Sequence, residues 1–416
     1  MSIHRLLYNT GIYFYGRGIH LASLVNKKAR LWSLGRKQQI ITAVEKKTGQ
    51  KVFWFHCASL GEFEQGRPLI EKIKQNHPGH KIILTFFSPS GYEIRRNYPL
   101  ADAVYYLPED LPSNARNFIE TIQPDAAFFV KYEFWFNYLQ ALYTKNIPAF
   151  LISGRFHKNQ IFFKPWGKSF IPYLRVFQYF FLLDETSQKL LADLGFTNAH
   201  VSGDTRFDRV WQNAQSVKEN NIISSFKGDD LLLVCGSTWP TEERILSETI
   251  DSLPENLKII IAPHEVDAYH IRQIIEKFGN CSVTYSSLSN DRHTLDKKIL
   301  IIDNIGLLSS IYQYADIALI GGGFRNSLHN MLEPAAFGMP IFLGPQIDKN
   351  PEAKEAVKLG FTHIFRNSDE LTKALLFLIS HPEERLKQSK ECKAWVERNT
   401  GSVTDIYCKL DHLGLL

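Results

Sequence analysis

The stretch that decides the fold is Leu319–Pro345, LIGGGFRNSLHNMLEPAAFGMPIFLGP. The apolar run Ile317–Ile320 reads as a strand that enters Gly321, Gly322 and Gly323. Glycine lacks a Cβ, so such a turn lets a backbone approach a ligand closely and tolerates positive φ. A helix is expected to open near His329, with Asn330 and Glu333 in its first turn, and to end at Gly338 and Pro340. A second buried strand, Ile341–Leu343, follows at once. A strand, a glycine turn and a helix N-terminus favour an anion, because unpaired N–H groups and the helix dipole both point at it. Glu333 would repel a bare phosphate but can accept paired hydrogen bonds from a ribose diol. The segment therefore reads either as a nucleotide site or as an ordinary glycine-rich connection between strand and helix.

Outward from that segment, two series of strand–helix units are visible. The first has predicted strands at 51–56, 81–87, 125–130, 149–152 and 179–183, and the second at 231–235, 258–262, 299–302, 317–320 and 341–343. Each run is short, apolar and followed by a helical pattern, as parallel βα units require. The pattern breaks between Val201 and Lys227. At 416 residues the chain exceeds what one hydrophobic core usually supports. The expected fold is α/β, with two open, mostly parallel sheets joined near residue 215 and a ligand cleft at the carboxyl ends of their strands. Three parts are expected: a basic amphipathic segment over 1–48, a first domain over 49–215, and a second over 216–416. The last long helix, about 383–399, is a candidate to cross back to the first domain.

Composition is that of an ordinary globular protein, 44% hydrophobic and 22% charged, and five scattered cysteines without a CxxC pair argue against a disulfide frame or zinc site. The net charge of +5 conceals an asymmetry: residues 1–51 hold ten Lys and Arg against the one acid Glu45, leaving 38 basic and 42 acidic residues elsewhere. A basic arm on a mildly acidic body indicates an acidic surface, either membrane or nucleic acid. The arm also carries Leu6, Leu7, Ile12, Tyr13, Phe14, Leu21, Leu24 and Trp32. Arg17, His20 and two glycines interrupt it, so it is a poor spanning helix. No small-residue cleavage site follows. An apolar face with Tyr and Trp beside Lys and Arg suits a helix lying on an anionic membrane surface, with packing on the body as the alternative. Nucleic acid is not the expected partner.

The unusual polar clusters fall just after predicted strands. His56–Glu62 (HCASLGE) brings Ser59, Gly61 and Glu62 to a helix start, where Glu62 either steadies the helix dipole or acts as general base; Pro68 is expected in an early turn. Ser88–Glu93 (SPSGYE) reads as a capping box from Ser90 to Glu93. Lys131–Trp135 (KYEFW) combines Lys131 and Glu133 with aromatics, and Arg155 and Arg206 are cations after apolar runs, suited to an anionic substrate or leaving group. In the second half, Ser237 and Thr238 of GSTW offer hydroxyls for phosphate contact, Gly322 lies in the glycine turn, and Pro263-His264 end a strand. There is no GxxxxGK[ST], no GxGxxG after the first strand, no GxSxG, no HExxH and no DxD pair. A sugar-nucleotide enzyme built this way is expected to work without a metal or other cofactor.

Assembled in order, these motifs resemble the Kdo (3-deoxy-D-manno-octulosonic acid) transferases of lipopolysaccharide assembly. The resemblance runs through HxxSxGE at His56–Glu62, SPSGYE at Ser88–Glu93, LPEDLP at Leu107–Pro112, YEFW at Tyr132–Trp135, GDTRFD at Gly203–Asp208, GSTW at Gly236–Trp239 and HNMLEP at His329–Pro334. It implies a GT-B fold of two Rossmann-like domains, the first holding a lipid A precursor (lipid IVA) and the second CMP-Kdo. It implies an inverting transfer that releases CMP, on the cytoplasmic side of the cell inner membrane. Glu62 matches the family's catalytic base. Arg206 stands where the family has a lysine credited with stabilising the transition state. Donor contacts map to Pro263, His264, Ile305, Gly306, Leu307, Asn330, Met331, Leu332 and Glu333; Ser59, Gly61, Glu93, Glu133, Arg155, Ser237, Thr238 and Gly322 are further cleft candidates.

The chain departs from the family's pattern in places. Lys131 replaces the first carboxylate of METELW, a stabilising position. The usual PRH reads Ala262-Pro263-His264, so its arginine is missing; Leu307 replaces an acidic residue, and Met331 the proline of HNPLEP. Other readings are a different GT-B enzyme, transferring or epimerising a UDP-sugar, and a membrane-associated nucleotide-binding scaffold.

Overall fold

A computed structural model of the chain describes residues 3–288, 296–325 and 327–416. It divides into two units, Met1–Asp208 with Thr400–Leu416, and Arg209–Asn399. The break falls at Asp208/Arg209 rather than near 215, and the returning segment is Thr400–Leu416. The helix Pro382–Arg398 stays in the second unit; it is the shorter helix Ser402–His412 that comes back, burying Ile406 and Leu410 against the first sheet.

The first unit is built on β1 (Val52–Cys57), β2 (Lys81–Phe86), β3 (Ala103–Tyr106), β4 (Ala126–Val130), β5 (Ala149–Gly154), β6 (Phe177–Leu182) and β7 (Ala199–Val201). They lie in the order β3-β2-β1-β4-β5-β6-β7, and every pairing is parallel. The second unit repeats the plan with β8 (Leu231–Thr238), β9 (Leu257–Pro263), β10 (Ser282–Thr284), β11 (Ile299–Ile301), β12 (Ile317–Ile320), β13 (Ile341–Leu343) and β14 (Thr362–Ile364). Their order is β10-β11-β9-β8-β12-β13-β14, again parallel throughout.

Parallel neighbours need crossover helices, which cover both faces of a sheet and make its inner strands apolar without alternation. All six residues of Val52–Cys57 are accordingly buried. Phe55 stacks on Phe128 at 4.5 Å between centroids, and each such buried ring contributes about 1.5–3 kcal/mol. The strands without a sequence signal, β3, β7, β10 and β14, are the edges. Half-exposed runs such as AHV and SVT carry no apolar stretch.

In both sheets the strand order reverses beside the central strand, between β1 and β4 and between β8 and β12. The ends of those four strands and the segments just after them carry Glu62, Lys131–Trp135, Ser237–Trp239 and the glycine turn. Such reversal points are where open α/β sheets hold ligands, because the flanking loops part there.

The amino-terminal helices α1 (Ile3–Ala22) and α2 (Lys27–Gln38) pack on the first unit. The inward face of α1 is polar or small: Tyr8 Oη donates to Asp110 at 2.6 Å, Asn137 Nδ2 donates to Asn9 Oδ1 at 2.8 Å, and Gly16 lies against Glu109. Its outward face is apolar, with Leu7 65%, Phe14 66% and Leu21 71% exposed. No helix among the described residues is long and apolar enough to cross a membrane.

Candidate functional site

In the first unit, helix α3 (Leu60–Asn76) begins directly after β1 and carries Glu62 in its first turn. Glu62 is 9% exposed, and Ser59 Oγ donates to its Oε2. Ser59, the residue before the helix, thus spends its hydroxyl on the carboxylate instead of on a backbone N–H. Gly61 is the next link in that turn, with no neighbour pressing on it. Pro68 sits in the middle of α3 rather than in an early turn.

Across the β1/β4 reversal, Glu133 accepts from Trp135 Nε1 at 2.8 Å, and its Oε2 lies 3.7 Å from His56 Nε2. His56 is fully buried and meets Thr85 Oγ1 at 2.9 Å through Nδ1. Burial raises the Tyr132 phenol, and the charges of Glu62 and Glu133 raise it further, so both carboxylates act on one neighbourhood. Lys131 has φ +74°, and its ammonium lies 5.4 Å from the Tyr132 ring centroid.

Arg206 lies in the first turn of the helix Thr205–Gln215, which Thr205 ties to α3 by donating to Gln65 O at 2.5 Å. Its guanidinium grips Asp204, with Nε at 2.9 Å and Nη2 at 2.6 Å from Oδ2. Burial opposes the Asp204 charge, yet Arg206 and its hydrogen bonds hold that carboxyl below its usual range. The arginine therefore arrives already paired with Asp204. Arg155 is likewise engaged, with Nε 3.3 Å from Asp184, the cap of the next helix. Glu93 accepts from Tyr106 Oη at 3.0 Å, and the cap of its helix is Ser88, so the expected Ser90–Glu93 box does not form.

In the second unit the glycines serve the backbone first. A Cβ on Gly321 would lie 2.0 Å from Ser237 O, because β8 and β12 run level and Gly321 N donates to Gly236 O at 2.9 Å. Gly322 has φ +88°, and its N–H donates to Glu242 Oε1 at 2.9 Å. The expected phosphate donor is thus already occupied. Thr238 is 1% exposed and donates to Glu243 Oε1 at 3.1 Å, so its hydroxyl also faces inward. Ser237, at φ +52°, keeps the exposed side of that bulge. Glu243, 1% exposed, also meets His270 Nε2 at 3.1 Å and Lys277 at 3.7 Å.

The helix after the glycine turn opens at Leu332, three residues later than the sequence suggests, and spans Leu332–Phe337. Asn330 precedes it, accepts from Leu332 N at 3.1 Å and donates to Glu333 Oε1 at 3.2 Å. Burial raises the Glu333 carboxyl, while Asn330 and Arg209 pull it down. Met331 and Leu332 are buried core side chains, so only their backbone can face a ligand. Pro263 ends β9, and His264 N donates to Thr238 O at 3.0 Å. Ile305, 90% exposed, and Gly306, at φ +96°, form an open loop before Leu307, the residue ahead of a short helix.

His264, expected as a donor contact, clusters here with three residues that the sequence left without a role, Trp239, His329 and Arg325. Trp239, His264 and His329 stack, with Trp239 Nε1 donating to His329 Nε2 at 3.1 Å, and Arg325 covers the Trp239 ring at 4.2 Å. Arg209 adds its charge beside Glu333. Among the described residues no group of three or more His, Cys, Asp or Glu could hold a metal ion.

Two parallel Rossmann-like sheets with polar chemistry at each strand-order reversal define an α/β protein of GT-B architecture. Residues 33–209 match the family described as 3-deoxy-D-manno-octulosonic-acid transferase (kdotransferase). Curated 3-deoxy-D-manno-octulosonic acid transferases are similar over most of the chain. The Haemophilus influenzae protein is 27% identical over 80% of this chain and 80% of its own, and that of Aquifex aeolicus 27% over 82% and 90%. The Chlamydophila psittaci protein is 25% identical over 80% and 78%. The chain is thus similar to Kdo transferases over about four-fifths of its length. Among solved structures, a putative UDP-N-acetylglucosamine 2-epimerase from Listeria monocytogenes has TM-score 0.60 at 12% identity, covering 88% of this chain and 98% of that one. The UDP-GlcNAc 2-epimerase of Neisseria meningitidis has 0.56 at 14%, covering 84% and 99%. At those identities the likeness concerns the fold alone.

Proposed function

We propose that the protein is an inverting glycosyltransferase that moves Kdo from CMP-Kdo to a lipid A precursor, lipid IVA, and releases CMP. The observation that carries this reading is Glu62, a carboxylate at the carboxyl end of a central strand, oriented by Ser59 at a strand-order reversal. In the reaction an acceptor hydroxyl oxygen forms a bond to the anomeric carbon of Kdo. The bond from that carbon to the CMP phosphate breaks, the electron pair leaves with CMP, and the hydroxyl proton passes to Glu62. Direct displacement inverts the anomeric centre. The transition state is oxocarbenium-like, so fixed dipoles and cations at the departing phosphate contribute most.

The first unit serves the acceptor and the second the donor, with Asn330 and Glu333 as nucleotide contacts. The outward apolar face of α1, beside Arg17, Lys27, Lys28 and Arg30, supports work at an anionic membrane surface, the cytoplasmic face of the inner membrane. Incubation with CMP-Kdo and tetraacylated acceptor tests the reading by mass: the product gains Kdo, and UDP-sugars give no product. A UDP-sugar transferase or epimerase is the second reading, favoured by fold alone, and turnover of a UDP-sugar in place of CMP-Kdo would establish it.

A further inference from the structure

We propose that Arg325 is the cation that receives the donor's phosphate, poised for it on a platform of Trp239, His264 and His329. This rests on the nucleotide-donor reading above. The platform gathers three rings from three separate loops, those after β8, β9 and β12. Trp239 and His264 lie 4.5 Å apart between centroids, and His264 and His329 4.4 Å. Trp239 Nε1 donates to His329 Nε2 at 3.1 Å, so that nitrogen is the acceptor and the imidazole proton sits on Nδ1. His264 is tied to the neighbouring strand by its N–H on Thr238 O. The rings are therefore fixed to one another and to the strand ends.

Neither histidine supplies charge at neutral pH. Burial, then the proximity of His264, pushes His329 down to about 4, and burial also lowers His264. The cation of the cluster is Arg325. Its Cζ stands 4.2 Å from the Trp239 centroid, and its backbone N–H closes the glycine turn onto Gly322 O at 3.1 Å. A guanidinium stacked on an indole keeps its N–H edges free to fork onto an oxyanion, the geometry in which arginine recognises phosphate. Among the described residues no carboxylate forms an ion pair with Arg325, and its side chain is exposed. Near the turn, Glu242 accepts from Gly322 N through Oε1, Glu243 meets Thr238 and His270, and Glu265 acts on His264. A stacked cation without an acidic partner, on neutral rings at a strand-order reversal, suits a nucleotide phosphate.

The test is calorimetric titration of CMP, UMP and cytidine into the full chain, as wild type, Arg325→Ala and Arg325→Lys. Arg325→Ala should weaken CMP about 10–100-fold and leave cytidine within about twofold, since a charge-assisted contact is lost and base contacts are not. Arg325→Lys should retain part of the CMP affinity. Because the side chain is exposed, both variants should keep the wild-type unfolding midpoint. Unchanged CMP affinity in Arg325→Ala, or equal losses of CMP and cytidine, overturns the proposal and leaves the donor reading standing. If wild type binds UMP but not CMP, and Arg325→Ala loses UMP, Arg325 stands and the CMP reading falls. Binding of neither nucleotide by wild type overturns both.

Discussion

Protonating His329 should make the second unit unfold more readily, and the size of the effect follows from its surroundings. The imidazole falls from 6.5 to about 4, chiefly by burial and then by His264. The folded state therefore prefers the neutral ring. The stability this ring contributes is fully present above pH 6.5, declines as the pH falls, and is lost below about 4, because the unfolded chain binds the proton first. A full shift of that size corresponds to roughly 3.4 kcal/mol at 1.36 kcal/mol per unit. His329 is only partly buried, so solvent screening reduces this to about 1–2 kcal/mol. The measurement is urea unfolding of wild type and His329→Gln at pH 7.5, 6.5, 5.5 and 4.5. The difference between the two proteins isolates this residue from every other titrating group. Wild type should lose about 1–2 kcal/mol relative to the variant between pH 6.5 and 4.5. A difference that stays constant with pH refutes the reasoning.

Three other perturbations probe separate parts of the account. Gly321→Ala puts a methyl 2.0 Å from Ser237 O, a backbone atom that cannot swing away, so it should cost about 1–3 kcal/mol in urea unfolding and weaken CMP binding together. Asp110→Ala removes a 1%-exposed acceptor for Tyr8 Oη and for the N–H groups of Asn137 and Tyr138, at 2.6, 3.2 and 3.1 Å. The orphaned donors should lower stability by about 2–4 kcal/mol. Serine at Leu7, Phe14 and Leu21 together should abolish cosedimentation with anionic vesicles while leaving the unfolding midpoint unchanged, since all three face outward. Persistent vesicle binding would remove α1 as the membrane contact.

The legible part of the chain was what burial writes into sequence. Inner strands such as Val52–Cys57 and Ile317–Ile320 are apolar throughout because both faces are covered, and they carry the architecture. Edges such as Ala199–Val201 bury too little to leave a mark. Residue type also placed Glu62 at a helix start, but not which groups would already be occupied. Thr238 and Gly322 look like phosphate ligands in sequence, yet Glu243 and Glu242 consume them. Those carboxylates sit four or five residues after Thr238, and about 80 before Gly322, so only the fold brings the latter pair together. The arginine of the family's PRH is missing from Ala262-Pro263-His264. Arg325, from the loop after β12, stacks on the Trp239 ring of this cluster, a contact that no local motif records.

The claim on which the rest depends is that Glu62 takes the acceptor's proton. Glu62→Gln keeps the size and the contact with Ser59 but removes the basic oxygen, so CMP affinity should stay within about twofold while transfer from CMP-Kdo falls about 10²–10⁴-fold. Transfer at the wild-type rate by Glu62→Gln would contradict the account.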